Sequence, residues 1–134
     1  SSVQMPKPKR YIQEPKTLGD YILNARIDKR FEQKEVAALI GVTENTISNW
    51  ELNLYKPDIQ FYPNIFKFIE CIPFELKTDT LGDQIRTFRI LNGMSQEKLA
   101  SELGINESTV FHYEKGKHKP TKKVLAKLSV ILDS

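Results

Sequence analysis

Residues 33–51 read QKEVAALIGVTENTISNWE, and residues 96–114 read QEKLASELGINESTVFHYE in the same register. In each stretch an apolar face at helical spacing (Val36, Ala37 and Ile40, or Leu99, Ala100 and Leu103) stops at a glycine, Gly41 or Gly104. Glycine takes the positive φ that ends a helix abruptly. An apolar residue (Val42, Ile105) and an N-capping residue (Thr43, Asn106) follow, so the next helix starts at once. Along it Ile47 and Trp50, or Val110 and Tyr113, face inward at i, i+3. The small Ala37 and Ala100 let this helix cross closely over the one before.

The similarity extends outward. Residues 17–57 recur as residues 80–120, a 41-residue segment repeated 63 positions on without a gap, with 15 identical positions. Most other positions are swaps such as Val36/Leu99, Ile40/Leu103, Ile47/Val110 and Trp50/Tyr113. Each copy opens with Thr-Leu-Gly-Asp. The Thr17 or Thr80 hydroxyl can accept from the backbone three residues on, and Asp20 or Asp83 suits a helix N-terminus. Leu18, Ile22 and Ala25, like Leu81, Ile85 and Phe88, then predict a first helix at i, i+4, i+7. A closing helix is predicted after Pro57 on Phe61, Tyr62, Ile65, Phe66, Phe68 and Ile69, and after Pro120 on Val124, Leu125, Leu128, Ile131 and Leu132. Pro63 fits if its helix begins one or two residues earlier. Two helices joined by a sharp glycine turn form a helix-turn-helix. The expected fold is therefore all-α, with two tandem helix-turn-helix bundles of four to five helices each. A basic, proline-containing arm is expected over 1–16, a first domain over 17–72, a linker over 73–79 and a second domain over 80–134.

The 134 residues suffice for two units of this kind, each near the lower limit for a self-sufficient core. The net charge of +3 is mildly basic and compatible with nucleic acid. Its distribution is more informative: residues 1–17 carry +3, residues 18–80 carry −3 and residues 81–134 carry +3. The single cysteine, Cys71, excludes an intramolecular disulfide, fits a reducing compartment and reads as a small buried hydrophobe. No apolar run reaches membrane-spanning length and no signal peptide is visible, so a cytoplasmic protein without membrane association is expected, nucleoid-associated if bacterial. The start at Ser1 fits added residues or the cut edge of a longer protein. Enzymatic readings find no support: there is no phosphate-binding glycine loop, no metal-ligand spacing and no nucleophile with a base. No metal or cofactor is expected.

The strings QKEVAALIGVTENTISNWE and QEKLASELGINESTVFHYEKGKHKP resemble the Cro and phage-repressor (XRE) class of helix-turn-helix regulators, a resemblance that covers about 18–70 and 81–132. It implies five-helix bundles whose third helix enters the major groove of double-stranded DNA. By position it assigns base reading to Glu44, Asn45 and Asn49 in copy one and to Glu107, Ser108 and His112 in copy two, with Ser48 and Phe111 beside them. Asparagine pairs bidentately with adenine, glutamate accepts from cytosine N4, and phenylalanine packs on a thymine methyl. A carboxylate in a helix's first turn is equally at home as a structural residue. Gln33 and Gln96, which open the second helix, would grip a phosphate and brace the recognition helix. Thr46 and Thr109 would touch phosphate or pack locally.

Arg26 with Glu51, and Arg89 with Glu114, read as structural ion pairs between the first and third helices. Lys115, Lys117 and Lys119, with Lys122 and Lys123, follow the second recognition helix where backbone phosphates should lie. Copy one has Leu52, Leu54 and Tyr55 in that loop and reads as a packing surface, for a homodimer or a partner protein. Lys7, Lys9, Arg10 and Lys16 form either an arm along DNA or a tail. Two further readings stay open: a protein-interaction module in which only the second unit binds DNA, and a DNA-targeting segment of a larger DNA-processing enzyme.

Overall fold

The computed structural model describes residues 10–133. Among them every regular element is helical: α1 (Leu18–Lys29), α2 (Gln33–Ile40), α3 (Glu44–Glu51), a 3₁₀ turn (Ile59–Phe61), α4 (Tyr62–Ile69), α5 (Leu81–Asn92), α6 (Gln96–Leu103), α7 (Glu107–Glu114) and α8 (Lys122–Leu132). The chain divides into two compact units. One holds the described residues up to Pro57 together with Asn64–Pro73; the other holds Asp58–Pro63 and the chain from Phe74 onward. Among the described residues each copy with its closing helix thus has four α-helices, the lower of the numbers expected.

The helix boundaries follow local chemistry. Thr17 caps α1: its hydroxyl accepts from the Asp20 N–H at 3.0 Å, and the Asp20 carboxylate accepts from the Thr17 N–H at 3.3 Å. Thr80 caps α5 through the Asp83 N–H. α2 and α6 stop at Gly41 (φ 95°) and Gly104 (φ 70°), in the left-handed region where glycine carries no Cβ penalty. Thr43 then caps α3 through the Thr46 N–H, whereas Asn106 precedes α7 without a side-chain cap bond. α4 begins one residue before Pro63, whose missing N–H costs nothing there.

In the first unit Ile22, Val36, Ala37, Ile40, Ile47, Trp50 and Ile65 are buried, whereas Cys71, expected to be buried, follows the end of α4 and is exposed. In the second, Ile85, Leu99, Ala100, Leu103, Val110, Tyr113, Val124 and Leu128 form one core, with Leu81, Phe88 and Met94 packed around it. All seven first-unit positions have a buried counterpart 63 residues on, from Ile22/Ile85 to Ile65/Leu128, so the repeat is a repeat of core geometry. Gly19 and Gly82 control how closely the first helix approaches the third. A Cβ on Gly19 would collide with the Trp50 carbonyl, and one on Gly82 would lie 2.6 Å from the Tyr113 and Glu114 carbonyl oxygens.

The lead-in to each first helix is also fastened. Asn24 holds Ile12 by two 2.8 Å bonds, donating to its carbonyl and accepting from its N–H. Thr87, at the matching position of α5, donates to the Lys77 carbonyl at 2.6 Å, and Gln84 donates to the Thr78 carbonyl. Residues 77 and 78, read from sequence as linker, therefore lie on the second unit. Of the N-terminal basic stretch, Lys7 and Lys9 lie outside the described residues, while Lys16 donates its backbone N–H to Asp20.

Candidate nucleic-acid interface

Burial of Ile47 with Trp50, and of Val110 with Tyr113, turns the opposite faces of α3 and α7 to solvent. On α3 the outer stripe is Glu44, Asn45, Ser48 and Leu52, with Asn49 beside it; Glu44, Asn45 and Leu52 are exposed, and Ser48 and Asn49 are half-buried. On α7 the same stripe is Glu107, Ser108, Phe111 and Lys115, all exposed, with half-buried His112 beside it. These side chains lie three and four residues apart, the spacing that puts them on one helix face. Thr46 and Thr109 are half-buried at the edge of the stripe. The Thr46 hydroxyl bonds Thr43 at 2.9 Å, which ties it to the helix cap.

Behind each stripe stands the same polar network. Arg26 grips Glu51 bidentately, Nε to Oε2 at 2.7 Å and Nη2 to Oε1 at 2.8 Å, and its Nη1 donates to the Phe31 carbonyl. Arg89 holds Glu114 in the same way, with Nη1 on the Met94 carbonyl. Hydrogen bonding to Glu51 raises the Arg26 pKa further, against the opposing effect of burial. Gln33 then donates its amide to Glu51 at 3.0 Å, and Gln96 its amide to Glu114 at 3.4 Å. Each glutamine therefore joins the start of the second helix of its unit to the end of the third and keeps its second amide N–H for another acceptor.

The two stripes end differently. After α7, Lys115, Lys117, His118 and Lys119 are exposed around Gly116 (φ 71°). The Lys115 ammonium sits 5.7 Å from the centre of the Phe111 ring, and His112 meets Phe111 and His118 edge-on at 5.5 and 4.9 Å. His112 Nδ1 is buried without a hydrogen-bond partner among the described residues. After α3, Leu52, Leu54 and Tyr55 are 65%, 62% and 67% exposed. The left-handed residue of that turn is Asn53 (φ 59°) in place of Gly116. Asn53 donates to Asp20 at 3.0 Å and accepts from the Thr17 hydroxyl at 2.7 Å, locking the end of α3 to the start of α1. Burial alone would raise the Asp20 pKa; hydrogen bonds from Asn53 and from the Lys16 and Thr17 backbone N–H groups hold it below the usual carboxylate range.

A family profile described as helix-turn-helix matches residues 22–71 and, a second time, residues 85–134. The chain belongs to the Cro/C1-type (XRE) helix-turn-helix family. It is 35% identical over 51 residues to a protein of Archaeoglobus fulgidus described as an uncharacterised HTH-type transcriptional regulator, a match that spans 38% of this chain and 73% of that protein. A protein of Methanocaldococcus jannaschii with the same description is 34% identical over 49 residues, 37% of this chain and 74% of its own length. No solved structure matches the chain significantly. In this helix-turn-helix chain no described helix is long and apolar enough to cross a membrane.

The contributions of Asn24, Asn53 and Thr87 are not legible in the repeat, because their counterparts Thr87, Gly116 and Asn24 differ in type. Gly19 and Gly82 did carry a signal: a glycine retained inside a helix in both copies implies a close backbone neighbour.

Proposed function

We propose that this chain binds double-stranded DNA sequence-specifically through its two helix-turn-helix units and regulates transcription. The observation that carries the reading is the pair of solvent-facing stripes on α3 and α7, in identical register, each backed by the same Arg–Glu–Gln network. Glu44, Asn45, Ser48 and Asn49 read bases from the first unit, and Glu107, Ser108, Phe111 and His112 from the second. Gln33, Gln96, Thr46 and Thr109 face the flanking phosphates. Lys115, Lys117 and Lys119 supply the counter-charge that makes duplex binding salt-dependent. The names of the archaeal relatives, HTH-type transcriptional regulators, support the regulatory role.

The test is a salt-titrated binding assay on duplexes selected from a random pool, comparing wild type with Asn45→Ala/Asn49→Ala and with Ser108→Ala/His112→Ala. Both double variants should lose discrimination by about 1–3 kcal/mol per lost base contact. Wild-type protein with no salt-dependent duplex binding would overturn the proposal. The three exposed apolar side chains after α3, in a segment of net charge −3, favour a second reading in which the first unit engages a partner protein or a second copy. Under that reading the first double variant binds DNA as wild type does.

A further inference from the structure

Phe111 is the feature that a purely polar base reader would not carry. It stands in the outer stripe of α7, between Ser108 one turn before and Lys115 one turn after, and is 40% exposed. The core of the second unit is complete without it: Val110 and Tyr113, its neighbours on α7, fill the inward face. Its ring is nevertheless oriented by neighbours, with the Lys115 ammonium 5.7 Å from its centre and His112 edge-on at 5.5 Å. The equivalent position in the first unit is Ser48, a small hydroxyl side chain with no ring to offer.

We infer that Phe111 makes the second unit a reader of the pyrimidine C5-methyl group in the major groove. This rests on the duplex-binding reading above and narrows it to a base feature. An aromatic ring offers no hydrogen bond to a base edge. What the major groove presents to such a ring is the thymine methyl, and the same group appears on 5-methylcytosine. The neighbouring charge suits such a contact. Lys115 holds one side of the ring while being free to approach a phosphate, so the apolar contact and the backbone anchor are set by one residue pair. In the first unit the equivalent Ser48 offers no apolar surface, and the apolar residue of that stripe, Leu52, stands one turn further on at the cap of α3, so a methyl contact at the position equivalent to Phe111 is absent there.

The test uses the full chain and a duplex selected from a random pool. Each thymine of the bound site is replaced in turn by deoxyuridine, which removes the methyl and leaves base pairing unchanged. Burying one methyl corresponds to about a fourfold change in affinity, so a thymine facing Phe111 should show about a fourfold loss on conversion to uracil. The loss should vanish in Phe111→Ala and persist in Phe111→Leu, which keeps an apolar contact. At the same position 5-methylcytosine should bind about fourfold better than cytosine. If deoxyuridine is neutral at every position in wild type, or if its effect is unchanged in Phe111→Ala, the inference fails while duplex binding stands. If no salt-dependent duplex binding is found at all, the underlying reading fails first.

Discussion

At the residue scale the chain depends on charges whose partners lie far away in sequence. Arg26 and Glu51 are 25 positions apart, and both side chains are 5% exposed. Removing the carboxylate strands a buried guanidinium, which typically costs about 3–5 kcal/mol. Glu51→Ala should therefore lower the urea midpoint of the first unit far more than Glu44→Ala, whose carboxylate is exposed. Asp20 makes a pH-dependent contribution. Its folded pKa is depressed, so its stabilisation is present above the unfolded value of about 4 and is lost as pH falls through the folded pKa. Asp20→Asn should be less stable than wild type near neutrality, and urea denaturation down the pH scale should show that difference shrinking below about pH 4.

At the scale of elements, the decisive approach is that of α1 to α3, and of α5 to α7. Alanine is a better helix former than glycine by about 1 kcal/mol, so propensity alone would make Gly19→Ala and Gly82→Ala stabilising. The Trp50, Tyr113 and Glu114 carbonyls reverse that sign, because a Cβ has no space beside them. Overpacking of this kind costs about 1–3 kcal/mol. Thermal melts should show both variants destabilised, and Gly82→Ala should also weaken DNA binding if α7 is the second reader. The element boundaries were largely legible beforehand: α2 and α6 start at the glutamines and stop at the glycines that the pattern marks. The closing helices were legible from their apolar residues, but Leu125, in the predicted apolar set of α8, is 42% exposed. Apolar spacing identifies a helix face without saying how much of it a neighbour covers.

At the scale of the whole molecule, two units share a scaffold and differ in what they present. The lysines follow α7, and apolar side chains follow α3. Each phosphate contact contributes about 0.9 to the slope of log affinity against log salt. Replacing Lys115, Lys117 and Lys119 together by alanine should therefore flatten that slope by about two to three, measured by binding across a salt series. Substituting Leu52, Leu54 and Tyr55 by serine should leave the slope unchanged, since no charge is removed.

The order of the helices, the glycine turns, the inward-facing residues and the two-copy architecture were all written in local spacing, because capping, left-handed turns and helical periodicity depend on neighbours a few residues away. The candidate base-facing residues were legible for the same reason: once the inward face of a helix is known, its outer face follows. The tertiary structure decided the rest. It brought Gln33 to Glu51, Asn53 to Asp20, and Asn24 to Ile12, pairings between residues 18, 33 and 12 positions apart. The Asn53–Asp20 pairing depends on how closely α1 approaches α3, a distance set where the Trp50 carbonyl faces Gly19, and the other two depend on where α2 and the lead-in to α1 come to rest.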